Sequence, residues 1–293
     1  MNILFIDKPD LALAYENKTI RVDDKKIPLR LVDTIVLVSD VALTSRTLLK
    51  IASEGVSIVL YSAHSHSNAI VLNGNAKNSE LKSAQYQALA NRLEIAKYFL
   101  TQKLLRHAAH LHAHEIIIET KEALEHCVTA NEIESLLGIE GSFSRAYFGH
   151  YFDLIPQKFH SGKRTKQPPL DPANALLSYL YSMLYAILST KLLSHGFELG
   201  IGYLHTPFRS HNALASDMME LFRHDINEAV VILFKEELVC INDFYKKEGV
   251  YLNTEGKKKL YTPIKELWEG LEPKIASEIA SLRSLLCRTN ENH

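Results

Sequence analysis

The sequence predicts an α+β protein of two domains, in which a small N-terminal β domain precedes a larger all-α C-terminal domain. Residues 1–75 contain short alternating or β-branched runs separated by turn residues. An Asn- and Gly-rich stretch at residues 73–79 then ends this pattern. Beyond it, apolar residues recur every three or four positions, which is the periodicity of helices. We therefore predict a β-sheet domain at 1–75, a linker at 76–84 and an α-helical domain at 85–293.

The predicted elements of the N-terminal domain are a hairpin, two buried strands, one short helix and a closing strand. Apolar and polar or small residues alternate along residues 11–16, and Asn17-Lys18 supplies the turn of the hairpin. The helix is an amphipathic run that ends at Gly55, a common stop residue. In chain order, the predicted segments after the first strand are 19–22, 32–38, 45–54, 56–61 and 69–72.

The C-terminal domain is predicted from helical periodicity in four long segments, 81–118, 174–193, 214–242 and 260–286, with a short helix near 131–137. Residues 159–172 hold one glycine and three prolines and are predicted to be weakly structured. Residues 175–190 carry no charge, but a membrane-spanning helix needs about 20 mostly apolar residues. We interpret this run as a buried core helix.

The overall composition is that of a folded cytoplasmic protein. The chain has 293 residues, of which 46% are hydrophobic and 23% charged, so it can form a hydrophobic core of normal density. Three scattered cysteines argue against a disulfide framework or a thiolate zinc site. We expect no signal peptide, because no basic segment precedes an apolar run at the N-terminus. The net charge of −1 means that phosphate binding would depend on local basic clusters.

The residues with the clearest chemical potential are acids and one histidine. Asp217, Glu220 and Arg223 recur every three residues on one helix face, although an isolated pattern of this kind is most often a solvated acidic face. His205 follows a glycine-bracketed apolar stretch, where a histidine is usually structural. Glu140 precedes Gly141, where the backbone can approach a substrate closely. Carboxylates with one imidazole suit Mg²⁺ or Mn²⁺ better than zinc, but no spacing rule joins these residues.

Four stretches together resemble a known family. They are 138–148, with Glu140-Gly141; 171–178, Asp-Pro-Ala-Asn-Ala-Leu-Leu-Ser; 200–205, ending Gly-Tyr-Leu-His; and 212–223, with Ser-x-x-x-Asp-x-x-Glu-x-x-Arg. In this order they are similar to the CRISPR-associated endonuclease called Cas one, the integrase subunit of spacer acquisition. The resemblance covers nearly the whole chain. It implies an N-terminal β domain, a helical catalytic domain and a homodimer.

The resemblance also implies the site and the reaction. Glu140, His205 and Glu220 take the family's three metal-ligand positions, and Asp217 is expected to be an auxiliary catalytic acid. The implied cofactor is Mg²⁺ or Mn²⁺. The implied reaction is cleavage and joining of phosphodiesters in double-stranded DNA, the prespacer and the CRISPR repeat. A small ferredoxin-like protein, Cas two, is the implied partner, with no membrane involved.

Basic residues close to this site in sequence are predicted to contact DNA. Lys163, Arg164 and Lys166 lie in the Pro-rich segment, where flexible cations suit phosphate contacts. Arg145 follows Glu140 on the same predicted element. Arg223 is expected either to contact DNA or to neutralise Asp217 and Glu220.

Three other interpretations stay open. His107, His110, His112 and His114 form a histidine-rich segment that favours a polar helix face, although His110 and His114 are spaced to bind a metal together. His224-Asp225 is the dipeptide of HD phosphohydrolases, with His195 and Asp243 as possible further ligands. A DNA-binding scaffold without activity is the non-enzymatic alternative.

Overall fold

The structure, a computed structural model, describes residues 3–6, 10–61, 68–72, 78–206 and 211–288. Its α+β class agrees with the prediction. Residues 76 and 77 of the predicted linker lie outside the described residues, and residues 79–84 of it belong to a helix. The helix that follows begins at Ser79, and the Asn78 side chain accepts a hydrogen bond from the Leu81 amide in its first turn.

The N-terminal strands form two sheets; the five predicted strands lie within two residues of their predicted bounds, and three further strands were not predicted. The strands are β1 (Ile3–Ile6), β2 (Leu11–Glu16), β3 (Thr19–Val22), β4 (Lys25–Pro28), β5 (Thr34–Leu37), β6 (Val41–Ala42), β7 (Ser57–Tyr61) and β8 (Asn68–Val71). One sheet has the order β1-β5-β7-β8, with β7 and β8 antiparallel and the other pairs parallel. The other has the order β4-β3-β2-β6. Helix α1 (Ser45–Ser53) is capped by the Thr44 hydroxyl.

The remaining helices are longer or shorter than the periodicity predicted. They are α2 (Ser79–Gln87), α3 (Arg92–His112), α4 (Lys121–Thr129), α5 (Ile133–Tyr151), α6 (Pro172–Ser194), α7 (Ala213–Glu220), α8 (Arg223–Lys235), α9 (Thr254–Lys259) and α10 (Tyr261–Arg288). A 3-10 turn at Ala88–Asn91 separates α2 from α3, and Leu221-Phe222 separates α7 from α8. The predicted single helices at 81–118 and 214–242 are therefore wrong in their continuity.

One further prediction about the C-terminal part is wrong. It is not all-α, because β9 (Phe244–Lys246) and β10 (Val250–Leu252) form an antiparallel hairpin. Val250 of this hairpin donates its amide to the Pro169 carbonyl, at 2.8 Å, and so holds the end of the Pro-rich segment. Glu140 and Gly141 lie inside α5, and a Cβ added at Gly138 or Gly141 would meet no atom of the chain within 4 Å. The predicted close approach of a substrate to Gly141 stays a prediction.

The described chain clusters into two compact units, each made of more than one stretch. One contains residues 1–85, 186–198 and 265–293, and the other contains 86–185 and 199–264. The linear division at residues 76–84 stays a prediction. All the predicted metal-ligand and DNA-contact residues lie in the second unit.

Helix α3 is the centre of the second unit, where it packs against α5, α7 and α8. Its buried face carries Ile95, Ala96, Phe99 and Leu100, but also Lys103 and two histidines. A fully buried large apolar side chain contributes about 1.5–3 kcal/mol relative to exposure. Burying an ammonium group costs several kcal/mol unless it is paired. Lys103 therefore needs charged partners inside the unit.

Helix α6 is the one described helix that is long and apolar enough to cross a membrane by length and composition. In the structure, 67% of its most apolar window is buried inside the protein. Leu176, Leu180, Leu184 and Leu188 are completely buried at helical spacing. This burial supports the interpretation of α6 as a core helix.

Candidate active site

Lys103 brings two of the three predicted ligands together. Its ammonium nitrogen pairs with Oε1 of Glu140 from α5 and lies 2.6 Å from Oε2 of Glu220 from α7. The Lys103 and Glu220 side chains are only 4% and 3% exposed, whereas that of Glu140 is 27% exposed. The carboxylates of two different helices thus face one cation, with Glu140 towards the solvent side.

The electrostatics of the two acids follow from this arrangement. Burial alone would raise the pKa of Glu220, but the positive charges of Arg223 and Lys103 outweigh burial and hold that pKa below its usual range. Burial also opposes ionisation of Glu140, yet Lys103 lowers the pKa of that acid too. Ser144, one turn after Glu140, donates a hydrogen bond to it at 2.8 Å. Both acids are therefore carboxylates at neutral pH, as metal ligands must be.

Asp217 holds the third predicted ligand, His205, in one orientation. The aspartate is completely buried and accepts hydrogen bonds from the backbone amides of Tyr203, Leu204 and His205. It also lies 2.8 Å from Nδ1 of His205. Burial would lower the pKa of His205, but the hydrogen bond and charge of Asp217 raise it. Among the described residues, no group hydrogen-bonds Nε2 of His205, so this nitrogen is left for another partner.

Arg223 completes the charge balance around Glu220. Its Nε donates to Oε1 of Glu220 at 2.8 Å, and its guanidinium lies 4.7 Å from the centre of the Tyr181 ring. Burial disfavours the charged form, but Glu220 raises the pKa of Arg223. Arg223 thus pairs with Glu220 while Asp217 pairs with His205, and contact of Arg223 with DNA stays a prediction. The solvated acidic face considered for α7 is excluded, because Asp217 and Glu220 are buried.

The donor set fits a hard divalent cation. Glu140 and Glu220 offer carboxylate oxygens and His205 offers Nε2, while the buried Oε2 of Glu220 is paired with Lys103 at 2.6 Å. Lys103 already places one positive charge between the two acids. A shared ion would require Lys103 to yield part of its place between the two acids.

The predicted DNA-contact residues differ in exposure. Arg145, Lys163 and Lys166 are exposed, whereas the Arg164 guanidinium donates to Asn174 at 2.9 Å and to Ser178 at 3.3 Å. Desolvation and the positive charges of Arg223 and Arg164 lower the pKa of Lys166, against an opposing effect of Glu140. Arg164 is thus engaged within the fold, whereas contact of Arg145, Lys163 and Lys166 with DNA stays a prediction.

The HD interpretation lacks its further ligands. Asp243 pairs with Lys259 at 2.8 Å and accepts the Cys240 amide at 2.7 Å, and His195 is bonded to the Lys191 carbonyl. His224 and Asp225 do not join a third acid, cysteine or histidine within metal-binding distance in the described part of the chain. The interpretation of residues 107–114 as a polar helix face is also wrong for His107 and His110, which are buried.

Lys103 is the site residue that the sequence analysis missed. A signal was present, because residues 95, 96, 99, 103, 107 and 110 fall on one side of a helix with 3.6 residues per turn. A lysine in the middle of such an apolar stripe has to be paired with acids from other elements. The partners themselves lie 37 and 117 residues further along the chain, beyond the reach of any local pattern.

Comparisons with a family model and with individual relatives point to the same family. The family model described as CRISPR associated protein Cas1 matches residues 4–266. A CRISPR-associated endonuclease Cas1 of Thermodesulfovibrio yellowstonii is 29% identical over 291 residues, which cover 92% of this chain and 91% of the relative. One from Thermus thermophilus is 33% identical over 250 residues, covering 83% of this chain and 78% of the relative.

Solved structures share the fold. A Cas1 protein from Thermotoga maritima superposes with a TM-score of 0.90 at 22% identity, covering 98% of this chain and 97% of its own. A casposase bound to its integration product gives a TM-score of 0.81 at 22% identity, with 91% and 82% of the two chains covered. A Cas6-RT-Cas1–Cas2 complex gives 0.80 at 21% identity, with 98% of this chain matched to 35% of the longer chain.

Proposed function

Because the chain belongs to the CRISPR-associated Cas1 family, we propose that it is a metal-dependent DNA endonuclease and integrase of CRISPR adaptation, with Glu140, His205 and Glu220 as its metal ligands. The observation that carries this assignment is the approach of Glu140 and Glu220 to one cationic group, Lys103 Nζ, from two different helices. A DNA-binding scaffold would have no need to bring two carboxylates from different helices to that charge.

Each residue of the proposed site has a separate role. Glu140 and Glu220 supply oxygen ligands, and His205 supplies Nε2 while Asp217 fixes its ring and keeps the proton on Nδ1. Arg223 offsets the charge of Glu220 and restricts its orientation. When bound, Mg²⁺ or Mn²⁺ would polarise the scissile phosphate and favour ionisation of the attacking hydroxyl or water.

Two reactions fit the same arrangement. In strand transfer, the DNA 3′ oxygen forms a new bond to a target phosphorus while the original phosphorus–oxygen bond breaks. The proton of the attacking hydroxyl goes to solvent and the leaving 3′ oxygen takes one up. In cleavage, water replaces the 3′-hydroxyl. No residue of the chain needs to form a covalent intermediate.

The proposed path of DNA runs across the basic residues beside the acids. Lys163 and Lys166 are exposed in the Pro-rich segment, and Arg145 is exposed on α5, the helix of Glu140. Contacts from these cations to phosphates would fix the position of the backbone without reading its sequence. We assign Arg164 and Arg223 mainly to positioning, although the 22% exposed side chain of Arg223 leaves room for a phosphate contact.

The proposed partners come from the family. Double-stranded DNA, as prespacer and as CRISPR repeat, is the substrate class. The complex that contains both Cas1 and Cas2 supports a Cas2 protein as partner. We further propose a homodimer, a small ferredoxin-like form of Cas2 and action in the prokaryotic cytoplasm, where the array DNA is kept.

The experiment is a strand-transfer and cleavage assay on linear and repeat-containing DNA with Mg²⁺ or Mn²⁺. Glu140→Gln is the main variant, because Glu140 is partly exposed and glutamine preserves its size. We expect at least a 100-fold loss of rate, since removing a group that stabilises the transition state typically costs about 10²–10³ in rate. Glu134→Gln, an exposed acid on the same helix, is the matched control and is expected to keep full activity.

A second pair separates the alternatives. Asp225→Ala tests the HD dipeptide, and Glu220→Ala tests the Cas1 site. Loss of activity only in Asp225→Ala would contradict the proposal in favour of a phosphohydrolase. Absence of activity in the wild type, with DNA binding retained, would favour the scaffold.

A further inference from the structure

A second group of metal-ligating side chains lies outside the carboxylate site. His110 lies in the last turn of α3, His114 lies in the turn that follows this helix, and Glu228 lies on α8. Their nearest ligand atoms all lie within 4.8 Å of one another. Oε2 of Glu228 is 3.0 Å from Nε2 of His110 and 2.7 Å from Nε2 of His114. Both imidazoles therefore point at a single oxygen.

The orientation of His110 is fixed by a buried network behind it. Its Nδ1 lies 2.9 Å from the hydroxyl of Tyr147, which also accepts a hydrogen bond from Nδ2 of Asn227 at 2.8 Å. Oδ1 of Asn227 in turn accepts the hydroxyl of Tyr181. A metal-binding histidine usually donates its other ring nitrogen to an oxygen of this kind, which fixes its tautomer. When Nε2 of His110 carries no proton, Nδ1 carries it and donates a hydrogen bond to the Tyr147 hydroxyl.

The opposite side of the cluster is open. His110 is buried, but the side chain of His114 is 19% exposed and that of Glu228 is 38% exposed. Among the described residues, Oε1 of Glu228 has no hydrogen-bond partner. A water molecule can therefore reach the group as a fourth ligand.

We propose that His110, His114 and Glu228 form a second metal site, which takes Zn²⁺ or a similar borderline transition-metal ion together with one water. Two imidazoles, one carboxylate and an open position are a ligand set that zinc favours. Bonds of about 2.0–2.1 Å in a tetrahedral site place nitrogen and oxygen ligands about 3.3 Å apart. The hydrogen-bonded distances of 3.0 and 2.7 Å need an opening of well under 1 Å.

The proposed site differs in chemistry from the carboxylate site and has a different role. The Glu140–Glu220 site is rich in oxygen ligands and suits Mg²⁺ or Mn²⁺, whereas imidazole nitrogens select zinc over these ions. An ion held by His110, His114 and Glu228 would join α3 to α8. Helix α8 begins at Arg223, the partner of Glu220. Binding at the second site would therefore restrain the helix that positions the active-site arginine.

The test is calorimetric titration of the tag-free, metal-stripped protein with Zn²⁺ in excess Mg²⁺, which competes for the carboxylate site formed by Glu140, His205 and Glu220. We expect one Zn²⁺ per chain in the wild type. Loss of a supporting hydrogen bond to a ligand costs about 10–100-fold in metal affinity, so loss of a ligand in His114→Ala or Glu228→Gln should cost at least 100-fold. His112→Ala changes an exposed histidine of the same helix and is expected to bind as the wild type does.

A spectroscopic measurement gives an independent readout. Co²⁺ replacing Zn²⁺ should give the visible absorption of a four-coordinate nitrogen and oxygen site in the wild type and in His112→Ala only. Circular dichroism confirms that Glu228→Gln, which retains a hydrogen-bonding side chain, is folded. Equal Zn²⁺ binding by wild type and His114→Ala, or no Zn²⁺ binding by the wild type, would overturn the proposal. None of these measurements depends on nuclease activity, so the two proposals fail separately.

Discussion

The ammonium group of Lys103 lies 2.6 Å from Oε2 of Glu220, and both side chains are almost completely buried. The same group pairs with Glu140, so one lysine neutralises two acids that would otherwise repel each other. In the proposed enzyme, this lysine and the catalytic ion compete for the same carboxylates. A fixed positive charge thus keeps the acids ionised and close together before a metal ion binds.

Replacing Lys103 by methionine should make the stability of the protein depend on divalent ions. The substitution leaves Glu220 and Glu140 without their shared cation, and breaking a buried ion pair in this way costs about 3–5 kcal/mol. Mn²⁺ should restore much of this loss. Urea unfolding with and without Mn²⁺ measures both effects.

The control for this prediction is Lys97→Met on the same helix. Lys97 pairs with Glu94, whose side chain is 71% exposed, and such surface pairs contribute about 1 kcal/mol or less. Mn²⁺ should not raise the free energy of unfolding of Lys97→Met more than it raises that of the wild type. An equal Mn²⁺ response in Lys103→Met and Lys97→Met would exclude competition between lysine and metal.

Asp217→Asn should weaken metal binding without removing a ligand. The amide group of asparagine cannot accept all the hydrogen bonds that Asp217 takes from three backbone amides and from Nδ1 of His205. One unpaired buried group costs about 1–3 kcal/mol of stability. Loss of the histidine's supporting acid should weaken Mn²⁺ binding about 10–100-fold.

Titration of Mn²⁺ followed by electron paramagnetic resonance measures this affinity directly. Asp225→Asn is the matched control, because it changes a neighbouring acid outside the proposed ligand set. Unchanged Mn²⁺ affinity in a folded Asp217→Asn protein would contradict the assignment of Asp217 as the residue that orients His205.

Local pattern was sufficient to predict most of the fold but not how the site is assembled. The five strands predicted up to residue 72 have alternating or β-branched composition and turn residues between them, and these are properties of short segments; β1, β4 and β6 were missed. The hairpin of Phe244–Lys246 and Val250–Leu252 was missed because three-residue strands carry too little alternation to be recognised. The break at Leu221-Phe222 has no glycine or proline to mark it, and packing alone determines it.

The site residues were identified by a family resemblance, and their geometry depends on packing between distant segments. Nothing near Glu140 in the sequence indicates that α5 continues to Tyr151 or that Glu140 meets a lysine of α3. The roles of Arg164 and Arg223 were also set by packing, because both guanidinium groups lie against Tyr181. Of the geometry of the site, the sequence could have predicted only that Lys103 is buried, because it lies on the apolar face of its helix.

The stability of the hairpin region should depend on pH through Asp243. Burial would raise the pKa of Asp243, but Lys259 and the Cys240 amide lower it below the ordinary value. A lowered folded-state pKa gives stability that is present above the unfolded pKa of about 3.9 and is lost as the pH falls through the folded value. Between pH 5 and pH 3 the wild type should therefore lose about 1 kcal/mol more than Asp243→Asn.

Urea unfolding at several pH values measures this difference. The expected curves converge at low pH, where Asp243 is protonated, and separate above pH 5. Glu255→Gln is the control, because Glu255 forms an exposed pair with Lys258 on α9. The same pH dependence in wild type and Asp243→Asn would show that the Asp243–Lys259 pair does not contribute.

Lys166→Ala should reduce the salt dependence of DNA binding. Lys166 is exposed beside the charges of Arg223 and Arg164, so a phosphate bound at the acids would lie within its reach. Each phosphate contact contributes about 0.9 to the slope of log affinity against log salt on duplex DNA. We expect the slope to fall by about that amount, with similar losses on repeat and unrelated DNA, because phosphate contacts carry no sequence information. Lys121→Ala is the control, because the Lys121 side chain on α4 is 82% exposed, and this variant should keep the wild-type slope. An unchanged slope in Lys166→Ala would show that DNA does not pass Lys166.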